Sequence, residues 1–243
     1  MADEKVTESR PLIHGCGRSA APAVLPPSLR PWLGLIAALA TLVVVVLGVL
    51  YAGHSEPGRV DRWIVEPTAD SVRPPWRYVA LATDFLGEPV GAAMLVMATV
   101  TGCLLLRRPR AAVLIVAGVG MAVVTATLLK SLVGRTIHGD GNLSYPSGHT
   151  AFLTALALAV ALLATGRLGL GRTAGTSLVF VAALVAGAAM GWAQVALGAH
   201  YPTDALGGWC TALAVVPVTA WLVDRTADQL ADRMADAGQR DRR

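Results

Sequence analysis

The sequence predicts an all-α, polytopic membrane protein with six transmembrane helices. Three observations carry this. Of 243 residues, 54% are hydrophobic. Only 15% are charged, where soluble domains carry about a quarter. The apolar residues gather into long runs without strand-like alternation, and a backbone that crosses lipid outside a closed barrel satisfies its hydrogen bonds only as helix.

Residues 1–31, polar and proline-containing ("APAVLPPSLRP"), read as a disordered cytoplasmic tail. Residues 32–52, "WLGLIAALATLVVVVLGVLYA", hold no charge. They supply the roughly 20 apolar residues that a hydrocarbon core requires. The run exceeds the apolar stretch of about 7–15 residues in a cleaved signal peptide, so it reads as a span. The following segment mixes Trp63, Trp76 and Tyr78 with charge and is expected to lie along the interface, rings at headgroup depth. Five more spans are expected near 86–106, 111–129, 150–166, 173–193 and 204–223, completing a membrane domain over 32–223. Residues 224–243 read as a cytoplasmic tail, able to prolong the last helix.

Charge placement orients these spans. The termini and the connections on their side hold fourteen Lys and Arg residues, including "RRPR" at 107–110; the opposite connections hold six. By the positive-inside rule both termini are cytoplasmic. The segment "KSLVGRTIHGDGNLSYPSGHTAF", residues 130–152, then faces outward.

Several classes fit the sequence poorly, and among the rival functions a transporter ranks last. The basic residues lack interleaved aromatics, so no nucleic-acid surface is present. Cys16, Cys103 and Cys210 are far apart and odd in number, giving neither metal-ligand spacing nor a disulfide framework. A transporter would place ionisable groups near the bilayer midplane, whereas Lys130, Arg135, His138, Asp140 and His149 crowd one face.

Two outward connections end alike: "YPSGH" (145–149) before the fourth span and "GAHYPTD" (198–204) before the sixth. Ser147 and Thr203 suit N-cap positions, with Asp204 in a first helical turn. Helix N-termini offer unpaired N–H groups and a positive dipole end, so a phosphate is the natural guest. Lys130 and Arg135 add cations beside them. Chemistry on phosphate requires a nucleophile and an acid for the leaving oxygen, roles that two histidines can divide. A carboxylate would fix the tautomer of the nucleophilic one. His200 and Asp204, four apart, suit that contact if the turn is helical.

Lys130, "PSGH" at 146–149 and "GAHYPTD" at 198–204 resemble the signature blocks of the type-2 phosphatidic acid phosphatase (PAP2) superfamily. The likeness spans roughly 85–223, and "HYPTD" about fifty residues after "PSGH" is its most specific part. It implies a PAP2-type helical bundle whose substrate is a membrane lipid phosphate or pyrophosphate. His200 would form a phosphohistidine, Asp204 would orient it, and His149 would protonate the leaving oxygen. Lys130, Ser147 and the backbone of Gly148 would hold the phosphoryl oxygens. No metal or other cofactor is implied.

Two positions depart from the pattern. Where the first block ends in Arg-Pro this chain has Ile137 and His138, and where the third opens Ser-Arg it has Ala193 and Gln194. Both clamp arginines are absent. A charge-assisted bond to phosphate is worth about 1.5–3 kcal/mol, more where it strengthens in the transition state. Arg135, His138 and Gln194 are the expected replacements. The competing expectation is a degenerate, headgroup-binding protein, and transfer of the phosphoryl group to an alcohol is a third.

Overall fold

A computed structural model describes residues 22–69, 72–139 and 141–240. Eight helices form among them: α1 (Arg30–Leu50), α2 (Arg59–Ala69), α3 (Trp76–Phe85), α4 (Pro89–Leu105), α5 (Pro109–Val133), α6 (Gly148–Leu168), α7 (Arg172–Ala196) and α8 (Pro202–Arg240). The described residues contain no strand, only an isolated bridge between Thr136 and Leu143. The chain is all-helical, and α1, α5, α6, α7 and α8 are each long and apolar enough to cross a membrane.

The remaining span is broken. Residues 86–106 were expected to form one helix, but α4 has only 17 residues, short of the roughly 20 a crossing requires. It counts as a span only together with α3, and the two meet at a 64° bend. Pro89 opens α4 at its first turn, where a missing N–H costs nothing and a fixed φ favours helix initiation. The elbow between α3 and α4 folds back over the site end of the bundle.

Burial ranks the helices. The apolar windows of α6 and α8 are 56% and 61% buried, against 28% for α1, so α6 and α8 form the bundle's axis. Leu114 and Ile115 of α5, Phe152, Leu158 and Leu162 of α6, and Leu213 and Val216 of α8 pack into one core. Trp63, Trp76 and Tyr78 are exposed on α2 and α3.

At the end away from the site, Asp224 is buried and accepts hydrogen bonds from the Val24 and Leu25 amides, each at 2.9 Å. The expected disordered tail therefore stops short of Val24; its part over residues 1–21 lies outside the described residues. The last helix runs on to Arg240, the prolongation that the C-terminal stretch allowed, with Arg110 bonded to Asp228 at 2.8 Å.

At the site end, α8 starts against the start of α6. A Cβ on Gly208 would lie 2.3 Å from the Ser147 carbonyl oxygen, and one on Gly207 would lie 2.4 Å from the Tyr145 ring. Only glycine permits this approach, which lets the Ser147 amide donate to the Asp204 carbonyl at 2.9 Å. Overpacking costs typically about 1–3 kcal/mol. Gly208→Ala is therefore expected to lower the melting temperature in detergent. Gly102→Ala on α4, where a Cβ would meet nothing within 4 Å, is expected to leave it unchanged.

Candidate active site

Four connections converge where α5 ends and α6 and α8 begin. Gly134 closes α5 in the left-handed region, φ 64°. One turn earlier Lys130 donates from Nζ to the Leu143 carbonyl at 3.1 Å, across the loop that leads to α6. That loop is tied by Thr136 N–H to His54 O (3.1 Å), Ser144 N–H to Arg135 O (2.8 Å) and Tyr145 O–H to Val44 O (2.8 Å). Asp140 lies outside the described residues.

Ser147 is the N-cap of α6, as expected: its buried Oγ accepts from the Thr150 amide at 3.4 Å and from Thr150 Oγ1 at 3.1 Å. Gly148 opens the helix, among the N–H groups a helix leaves unpaired. A Cβ there would meet nothing within 4 Å, so the approach is open. His149 follows, its ring lying against Gly87 of the elbow, where a Cβ would lie 2.3 Å from Cδ2. Its Nε2 is 3.5 Å from Glu88 Oε1 and 3.7 Å from Asp84 Oδ1, and it makes no hydrogen bond.

Gln194, 1% exposed, turns toward the same elbow and donates from Nε2 to Asp84 Oδ1 at 2.5 Å. Its carbonyl accepts from the Ala199 and His200 amides at 2.9 and 3.3 Å, folding the chain after α7. Gly198 sits in that turn at φ 72°, and His138 Nε2 meets its carbonyl oxygen at 2.7 Å. His138 itself has φ 59°, unusual for a residue with a Cβ. It is exposed and braces the His200 turn through its ring.

His200 is 7% exposed, and its Nδ1 lies 3.7 Å from Asp204 Oδ2 without a hydrogen bond. Burial pushes its pKa below the ordinary 6.5; Lys130 and His149 push the same way, while Asp204 pulls it back up. The structure thus brings His200, Asp204, Lys130 and His149 into one electrostatic neighbourhood.

Arg135 has a different place from the one expected. It is fully buried, donating to Asp204 Oδ1 (2.7 Å), Thr203 Oγ1 (2.6 Å) and Asp61 Oδ2 (2.6 Å). Its guanidinium carbon lies 4.0 Å from the Tyr51 ring centroid and 4.6 Å from that of Tyr201. Both terminal nitrogens are so engaged, while the buried Nε has no hydrogen-bond partner. Ile137, at the missing arginine's position, is buried and apolar.

Thr203 is likewise not an N-cap. It lies in the first turn of α8, with its amide donating to Asp61 Oδ1 at 3.0 Å. Asp204 Oδ2 accepts from the Tyr201 amide at 3.0 Å. Asp61, Asp84 and Glu88 are the residues sequence reasoning missed. All three occur in the charged segment assigned to the interface, and nothing local marks Asp61 as buried against a helix 142 residues away. Asp84, Glu88 and His149 place ligand atoms within 4.8 Å of one another, a spacing that suits a divalent cation or a protonated imidazole equally.

Beside the turn, α7 and α8 separate beneath α2 to leave an apolar cavity of about 400 Å³. Ile64, Gly187, Gly191, Trp192, Leu206 and Trp209 line it. It reaches Pro202 and Ala205, immediately after the histidine turn.

Comparison with known proteins agrees with this layout. The chain superposes on the crystal structure of "the first transmembrane PAP2 type phosphatidylglycerolphosphate phosphatase from Bacillus subtilis" with a TM-score of 0.62 and 19% identity. The match covers 79% of this chain and 96% of that one, and at this identity it speaks to the fold. No curated protein matches the sequence. The PAP2 superfamily model matches residues 111–228, a range that contains Lys130, His149, His200 and Asp204. Over those residues the chain is similar to the PAP2 superfamily.

Proposed function

We propose that this protein hydrolyses a phosphate monoester or pyrophosphate on a membrane lipid, without a metal, through a phosphohistidine on His200. The observation that carries the reading is a buried histidine, its pKa held down, beside a carboxylate at 3.7 Å and within the field of Lys130 and His149. A neutral imidazole with its proton on Nδ1, toward Asp204, leaves the Nε2 lone pair free to attack. Apo distances of this kind tighten when substrate binds.

In the first step Nε2 of His200 bonds to phosphorus as the bond to the lipid oxygen breaks, and His149 gives that oxygen its proton. In the second step His149 takes a proton from water, the water oxygen bonds to phosphorus, and the His200 bond breaks to release phosphate. Lys130, Ser147 and the Gly148 amide hold the phosphoryl oxygens. The lipid chain lies in the cavity between α7 and α8, whose apolar lining reaches the turn that presents His200. Phosphatidic acid, phosphatidylglycerol phosphate and isoprenoid pyrophosphates all fit this class. The charge asymmetry of the connections supports an extracytoplasmic site with both termini cytoplasmic.

The commitments of the site's polar groups favour a second reading, headgroup binding without turnover. Arg135 is spent on carboxylates, Gln194 is spent on Asp84, and Asp84 and Glu88 bring negative charge toward the site.

Inorganic phosphate release by detergent-purified protein on a panel of these lipids separates the two. Hydrolysis predicts release that vanishes in His200→Ala and falls by about 10²–10⁴-fold in His149→Ala, the usual contribution of a general acid. Equal background in wild type and His200→Ala would contradict hydrolysis and favour the binding reading. The acidic limb of kcat/KM tests the state of His200. Falling pH protonates the nucleophile only below its lowered pKa, so the limb is expected below pH 6.5. A limb above that value would contradict the burial effect.

A further inference from the structure

We infer that Asp61 and Arg135 are positioning residues that set the charge Asp204 presents to His200. The inference rests on the reading of His200 as the reactive base and goes beyond it, because neither residue touches the phosphate position. Three facts support it.

First, Asp204 divides its two oxygens. Oδ1 accepts from Arg135 at 2.7 Å, while Oδ2 accepts from the Tyr201 amide and faces His200 Nδ1. The guanidinium thus fixes the carboxylate's plane and tempers its charge on the oxygen pair that His200 senses.

Second, Arg135 is itself held from the other side. Asp61 binds its second nitrogen at 2.6 Å, and Asp61 also accepts from the Thr203 amide and hydroxyl, one residue before Asp204. Asp61, Arg135, Asp204 and His200 form one line from α2 to the histidine turn. Asp61, Arg135 and Asp204 are wholly buried, so solvent screens the line little.

Third, among the described residues the other charge beside Asp204 is Lys130, which the Asp61 and Arg135 variants leave in place. Lys130 from α5 and His149 from α6 face His200 directly, and Asp84 and Glu88 from the elbow reach His149. Gln194, the contribution of α7, is neutral. Tyr201, between Arg135 and the turn, is held un-ionised, its pKa raised chiefly by burial.

The consequence is a pair of opposite effects. Arg135→Gln removes a positive charge behind Asp204, so the carboxylate acts on His200 at full strength and favours imidazolium. Asp61→Asn removes a negative charge and leaves Arg135 to Asp204 alone, which disfavours imidazolium. The acidic limb of kcat/KM should therefore rise by about one pH unit in the first variant and fall in the second, within the usual range for a neighbouring charge. A Glu66→Gln control on the exposed face of α2 should leave it in place. Arg135→Lys keeps the charge but loses the fork; it should leave the limb near wild type while kcat falls and KM holds.

The experiment is a ¹³C NMR titration of histidine-labelled protein in nanodiscs, with the His200 signal assigned by its loss in His200→Ala. It reads the ring without turnover, so a protein that hydrolyses nothing still reports on the ion line. Opposite displacements of the His200 midpoint in Arg135→Gln and Asp61→Asn are the expected result. Midpoints that stay put, or move together, in folded variants would overturn the inference. If Arg135→Gln does not fold, a downward shift in Asp61→Asn against an unmoved Glu66→Gln supports it, and no shift overturns it.

Discussion

A single guanidinium, fully out of contact with solvent, organises the site end of this protein. Arg135 binds carboxylates from α2 and α8 and lies between two tyrosine rings. Burying an ion is costly, and removing one partner of a buried pair typically costs about 3–5 kcal/mol because a charge is left uncompensated. Every group around Arg135 is therefore constrained together: the chain after α1 through Tyr51, α2 through Asp61, the loop before α6 through its own backbone, and the start of α8 through Thr203 and Asp204. Two carboxylates at the N-terminus of α8 also meet the positive end of its dipole. One of them, Asp61, caps the helix from a different element.

This constraint explains why His200 and Asp204 are held beside one another. The α8 start cannot shift without breaking the Asp61 and Arg135 contacts, and the glycine approach at Gly207 and Gly208 presses it against the α6 start. His200 sits in the turn just before, held by the Gln194 carbonyl through its amide and flanked by the His138 brace. Ile137 and Gln194 are uncharged where the family resemblance implies arginines. Gln194 keeps a buried donor aimed at Asp84. The neutral amide leaves Asp84 its negative charge, which faces His149 rather than an arginine. The proposed chemistry then leans on Lys130, the α6 N-terminus and a protonated His149 for the charge that guanidinium groups would supply.

Much of the fold was legible in the sequence. Apolar runs located the spans because length and hydropathy are local properties, and the helix starts at "PSGH" and "HYPTD" followed from the signals that flank them. The broken span was missed although Gly87 and Pro89 mark it, since an apolar window averages across a bend. Site residues within the two motifs could be read for the same local reason. Arg135 was found but its carboxylate partners were not, because one of them, Asp61, comes 74 residues earlier in the chain. A charge in an interfacial segment looks the same whether it meets water or a buried guanidinium, so only the fold distinguishes them.

The proposed chemistry puts the phosphoryl group on His200. Rapid alkaline quenching during turnover of a lipid phosphate, followed by peptide mass spectrometry, would trap it, since a phosphohistidine survives base and is lost in acid. A phosphate mass is expected on the peptide containing His200, acid-labile and absent from His200→Ala. Turnover with no such adduct, or an adduct on His149 instead, would contradict it.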